Sequence, residues 1–173
     1  MIPLYRTLSG LALVGLLCAA TPVASEPTHD AAEHAACDCP DGIKLEGQPW
    51  VRLMPPTMPS TAAYLTLRNT TDRDIEIVSA ESPVAAVTEL HDHVEDEHGV
   101  MRMREVPSIT IPANDRVELQ PGSLHVMLID LLEPLEQGQQ VPIRLKLEGL
   151  RDLHLQAVVR RAERPASGGH HQH

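Results

Sequence analysis

Between Trp50 and Val159, short apolar runs are cut by turn signals roughly every 8 to 12 residues, a punctuation that leaves no room for long helices. Ala63-Tyr64-Leu65-Thr66-Leu67-Arg68 alternates apolar and polar residues strictly, as a half-buried strand must. Asn69-Thr70-Thr71-Asp72 then reads as a turn, and Ile75-Glu76-Ile77-Val78 as the next strand. Trp50-Val51-Arg52-Leu53 precedes them and is stopped by Pro55-Pro56 and Pro59. Pro83 and the β-branched pair Val87-Thr88 favour a strand ending at His91, followed by an acidic loop over Asp92–Gly99. Val100–Arg104, Leu124–Ile129, Val141–Leu147 and Leu153–Val159 read as further strands, and with the short apolar runs at Ile109, Ile111 and Val117–Leu119 between turns the count is about eight or nine. No βαβ alternation, phosphate-binding glycine loop or solenoid period interrupts it. The expected fold is all-β, a single antiparallel β-sandwich with flexible N- and C-terminal tails.

The core of such a sandwich must come from Leu, Val, Ile and Ala, because the 173 residues contain no Phe, one Trp and two Tyr. Few aromatics and a formal net charge of −10 both argue against a nucleic-acid partner, which needs a basic footprint and stacking platforms. The N-terminus reads as an export signal: Arg6, then an apolar stretch over Leu8–Ala20, then small residues at Val23-Ala24-Ser25. That stretch is short for a bilayer span, so no stable membrane insertion is expected after cleavage, and a periplasmic location follows. Leu16-Leu17 ahead of Cys18 do not fit the small residues that lipid attachment wants. The expected divisions are residues 1–25 signal, 26–42 flexible lead-in, 43–161 folded domain and 162–173 tail. Cys37 and Cys39 remain after cleavage. In an oxidising compartment they can pair with each other, pair between molecules or bind metal.

Within this frame His and Met recur at every second position of three runs: His91-Asp92-His93, Met101-Arg102-Met103 and His125-Val126-Met127. Residues i and i+2 of a strand share a face, so each pair projects together. Neutral imidazole and thioether suit Cu(I), the thioether being soft and resistant to the oxidation that disables a thiolate. A site without charged ligands holds the ion loosely enough to release it to a thiolate-rich recipient. Blue-copper chemistry lacks its Cys, since none follows residue 39. Zinc would use no Met, and neither HExxH nor GxSxG is present. No enzymatic activity is expected.

The pattern His91, eleven residues, Met103, twenty-one residues, His125-x-Met127 resembles the signature of the PCu(A)C family. Trp50-Val51-Arg52, Met54-Pro55-Pro56, Ala62-Ala63-Tyr64-Leu65, Glu89-Leu90-His91, Gly99-Val100-Met101-Arg102-Met103 and the Pro121-Gly122 ahead of Leu124 add to the likeness, over about residues 45 to 160. The resemblance implies a periplasmic Cu(I) chaperone with a cupredoxin-like β-sandwich. It implies His91, Met103, His125 and Met127 as ligands, and delivery toward the copper site of cytochrome c oxidase through an oxidase subunit or an assembly factor. One departure is Asp92, where the family often carries Met. Met101 is an alternative to Met103, and His93 and His98 are weaker attractors. Some relatives have His-rich C-terminal extensions that bind Cu(II), and here His170, His171 and His173 offer the same chemistry. The competing functions are a copper buffer for tolerance and a structural sandwich whose His and Met merely pack.

Overall fold

The computed structural model describes residues 37–162, so the export signal, most of the lead-in and the His170–His173 tail lie outside the described residues. Eleven strands and no helix make up the described chain. In order they are β1 (Cys37–Asp38), β2 (Ile43–Arg52), β3 (Thr61–Asn69), β4 (Ile75–Glu81), β5 (Ala85–Glu95) and β6 (Met101–Glu105). Then follow β7 (Ile109–Ile111), β8 (Arg116–Leu119), β9 (His125–Leu131), β10 (Gln140–Leu147) and β11 (Leu153–Arg160). They form one continuous ladder, β6-β5-β9-β3-β2-β11-β10-β4-β7, with β8 added beside β3 and β1 beside β11. The sheet rolls over on itself, so that β4 also touches β5 and β7 touches β3 and β8.

Alternation decides which side of each strand is buried. In β11, Leu153, Leu155, Ala157 and Val159 face inward and His154, Gln156 and Val158 do not. In β10, Val141, Ile143, Leu145 and Leu147 do the same against them. With Leu67, Ile77, Ile111, Leu90, Val126 and Leu128 they form one apolar core without a single aromatic ring. Small and branched aliphatics fill the space between the sheet faces, as the composition requires.

The expected all-β architecture stands, with three differences. The pair β2–β11 runs parallel, so the sheet is mixed rather than wholly antiparallel; period-two patterning reads faces, not strand direction. The strand ending at His91 in fact continues to Glu95, because β6 pairs with it as far as Met101 and zips much of the expected acidic loop into a hairpin. Asp96 closes that hairpin, its carboxylate accepting from the amides of His98 and Val100. Finally, Cys37–Asp38 pairs with β11, so the end of the expected lead-in belongs to the sheet.

Cys37 and Cys39 are joined to each other. The thiolate-ligand reading of this pair is thereby corrected: disulfide sulfurs have given up the lone-pair charge that metal binding uses. Their place beside β11 also sets them apart from the His/Met strands, with β2 and β3 lying between β11 and β9.

Candidate metal centre

Leu90 on β5 and Val126 on β9 are directly paired and both buried in the core. Their neighbours His91 and His125, also directly paired, must then lie on the opposite face. The same parity places Glu89 opposite Met127, His93 opposite Met103 and Glu95 opposite Met101. Every His and Met singled out on these three strands therefore shares one face of the sheet. Asp92 points to the other.

The two imidazoles at the centre are held in the same way. Ser123 N–H bonds to the Gln120 carbonyl at 3.1 Å across Pro121-Gly122, with Gly122 at φ 84°. This turn, with Pro second and a positive-φ glycine third, aims the Ser123 carbonyl back at β9. His125 Nδ1–H donates to that carbonyl at 2.8 Å. Its Nε2 is then a lone-pair nitrogen, and it is buried with no hydrogen-bond partner. On β5, His91 Nε2–H donates to the Glu89 carboxylate at 2.7 Å, leaving Nδ1 as the lone-pair nitrogen, again buried and unpartnered. The ring centroids are 5.7 Å apart. One ring nitrogen anchored by a carboxylate or a backbone carbonyl, with the other left bare, is how a protein orients an imidazole toward a metal. A bare buried nitrogen otherwise costs about 1–3 kcal/mol.

His125 is almost fully buried at 1% exposure. Burial holds its pKa below the ordinary histidine value, and the nearby His93 and His91 push the same way against the Ser123 hydrogen bond and Asp92. The ring is neutral at pH 7, the form that binds metal. Tyr64 covers one side with its ring centroid 6.3 Å away, and Trp50 lies against Tyr64 at 4.5 Å. Arg52 sits over Tyr64, and Arg160 over Trp50 at 4.1 Å.

The thioethers are less gathered than the imidazoles. Met127 is half-buried two residues (one same-face pair) below the His91–His125 level, while Met103 is 46% exposed two residues above it on β6. With about 3.4 Å rise per residue and about 4.8 Å between strands, their backbones stand roughly 16 Å apart across a flat sheet. Met101 is 54% exposed and one pair farther out than Met103, which weakens it as the alternative. His93 is closer than its secondary standing suggested: its ring centroid is 5.2 Å from that of His125, and its Nδ1 lies 3.3 Å from the same Ser123 carbonyl. His98 sits on the exposed hairpin loop beside Glu97 and is not brought to the site. Among the described residues no cage of three or more His, Cys, Asp or Glu donors is complete.

Sequence reasoning missed Glu89, Ser123 and the Tyr64–Trp50 wall as parts of the site. Glu89 carried a signal, since the alternation that pairs His91 with His93 puts it on the same face. Ser123 acts through its backbone carbonyl, which no side-chain pattern reports.

A sequence profile described as "Putative lipoprotein LpqE-like" matches residues 46–159. Two solution structures of DR1885 from Deinococcus radiodurans are similar. The Cu(I) form is 37% identical over 66% of this chain and 76% of that one, with a TM-score of 0.54. The apo form is 33% identical over 87% and 97%, with a TM-score of 0.55. The chain belongs to the LpqE-like, PCu(A)C family. The apo PCuAC domain from PmoF1, at 19% identity and a TM-score of 0.63 over 73% of this chain and 99% of that one, shares the family fold. Lxx21020 of Leifsonia xyli subsp. xyli is 35% identical over 61% of this chain, a match spanning 62% of that protein's length. RP573 of Rickettsia prowazekii is matched over 55% of its length at 33% identity. The chain thus spans under two thirds of the curated relatives it matches. The PCu(A)C spacing of His91, Met103, His125 and Met127 falls within the matched region.

Proposed function

We propose that this chain is an exported Cu(I) carrier. It holds one ion through His91, Met103, His125 and Met127 and passes it toward the copper site of cytochrome c oxidase, directly or through an assembly factor. The observation that carries the reading is the cross-strand pair His91 and His125, each ring anchored through one nitrogen and left with a buried, unpartnered second one. Met127 and Met103 share their face, and the similar DR1885 has been solved as a Cu(I) form. Two neutral imidazoles and two thioethers leave the cargo its single positive charge, which favours release over storage.

Capture by both sulfurs requires movement. His91 and His125 are preformed, whereas Met103 rides on β6, a fully exposed edge strand paired only to β5. Curling the β5–β6 hairpin toward β9 brings the sulfur inward and reverses when the ion leaves. Cu(I) titration against a competing chelator tests the reading: one saturable equivalent is expected, lost in His125→Ala and in Met127→Ala. X-ray absorption of the loaded protein should count two sulfur and two nitrogen neighbours. No saturable binding would leave a structural sandwich. A carrier and a buffer separate in the cell, since loss of a carrier lowers oxidase activity when copper is scarce, and loss of a buffer causes sensitivity when copper is abundant.

Export places the site outside the cytoplasm, where thioether outlasts thiolate. The lipoprotein description of the family raises a second form of export, retention at a membrane surface through a lipid on Cys18, against which the bulky Leu16-Leu17 count. Mass spectrometry of the purified native N-terminus distinguishes cleavage near residues 20–25 from acylation at Cys18.

A further inference from the structure

We propose that the same pocket takes Cu(II) through three imidazoles, His91, His93 and His125, and that His93 serves this oxidation state and not Cu(I). The inference rests on the preceding reading only in using His91 and His125 as ligands; the role of His93 is independent of the thioethers.

Two imidazoles bound to one ion through single nitrogens at about 2.0–2.1 Å place their ring centroids roughly 5 to 6 Å apart. His125 stands 5.7 Å from His91 and 5.2 Å from His93 by this measure. His125 is therefore the hub, with His91 directly across from it and His93 diagonally beyond on β5. The Ser123 carbonyl faces Nδ1 of both His125 and His93, at 2.8 and 3.3 Å. Donation to it from each ring leaves both Nε2 atoms as lone-pair donors. The long His93 contact leaves that ring room to turn, the step that completes a set not closed in the free protein.

The register also offers each valence its own donor. His93 and Met103 are direct partners across β5 and β6, so a nitrogen and a sulfur are offered from one place on the sheet. Cu(II) favours imidazole and Cu(I) favours thioether. With the hairpin extended, as here, Met103 is turned to solvent and His93 is the nearer donor. With the hairpin curled, the sulfur takes that position. Glu89 lies against the His91 ring in a chain of net charge −10, which suits a divalent ion arriving.

The test uses the full chain with His170, His171 and His173 replaced by Ala, so that the C-terminal segment supplies no imidazole. Electron paramagnetic resonance after one equivalent of Cu(II) should resolve coupling to three nitrogens. His93→Ala should reduce this to two and weaken Cu(II), measured in competition with glycine, by on the order of tenfold or more. Cu(I) affinity should stay unchanged. His93→Asn, which keeps a polar side chain, should behave like His93→Ala, with circular dichroism confirming the fold of both. An unaltered Cu(II) spectrum in both variants overturns the proposal, and so does an equal loss of Cu(I) affinity. Failure of the Cu(I) reading looks different: Met127→Ala would leave Cu(I) binding intact while Cu(II) still depended on His93.

Discussion

Glu89 and Ser123 each anchor one ring nitrogen of an imidazole whose other nitrogen is bare, and that anchoring has measurable consequences for the proposed site. Glu89→Gln keeps the shape but weakens the pull on His91 Nε2–H, so Cu(I) affinity should drop about 10- to 100-fold. Chelator competition would read that loss, and an unchanged affinity would show that His91 needs no anchor. His125 makes a separate prediction, on stability in the metal-free state. Its folded pKa lies below the ordinary histidine value of about 6.5 because burial disfavours the charged ring. Between the two values the unfolded chain binds a proton that the folded chain refuses. The contribution of His125 is therefore complete above about pH 6.5 and is eroded as pH falls toward the depressed folded value. Melting temperature should decline over that window, with a shallower decline in His125→Gln.

At the level of elements, the Pro121-Gly122 turn and the β5–β6 hairpin have opposite duties. The turn must be rigid, because one carbonyl on it orients two imidazoles. Gly122 has open space around its Cα, yet its φ of 84° penalises a side chain. Gly122→Ala should cost about 1–2 kcal/mol in chemical denaturation and weaken copper binding as the Ser123 carbonyl shifts. The proposed capture by Met103 requires the hairpin to move. Amide exchange in Met101–Glu105 should be fast in the free protein and slow on Cu(I) loading, while β9 stays protected in both; equal rates in the two states would remove the moving role of β6. Strand existence and facing were legible because alternation in His91–His93, Met101–Met103 and His125–Met127 is a local property. The extension of β5 to Glu95 was not, since Asp92–Gly99 reads as a polar loop until β6 pairs against it. Nor was the parallel β2–β11 pairing, which depends on where two distant strands meet. The His and Met that share this face were named from sequence as candidates, but the nearness of His93 to His125 comes from register and could not be read from composition.

Across the molecule, the apolar core lies on one side of the β5–β9 pair and the His/Met face on the other, so stability and cargo binding are served by alternate residues of the same strands. Leu128→Ala should therefore cost about 2–5 kcal/mol in unfolding while retaining one copper equivalent in whatever fraction stays folded. The only tryptophan in the chain, Trp50, leans on Tyr64, which in turn flanks His125. A composition almost empty of rings has placed its sole strong fluorophore within two neighbours of the proposed ligand His125. On the proposed reading, emission at a single wavelength becomes a built-in gauge of occupancy, and a recipient that strips the cargo would announce itself as recovered light, without dye or label.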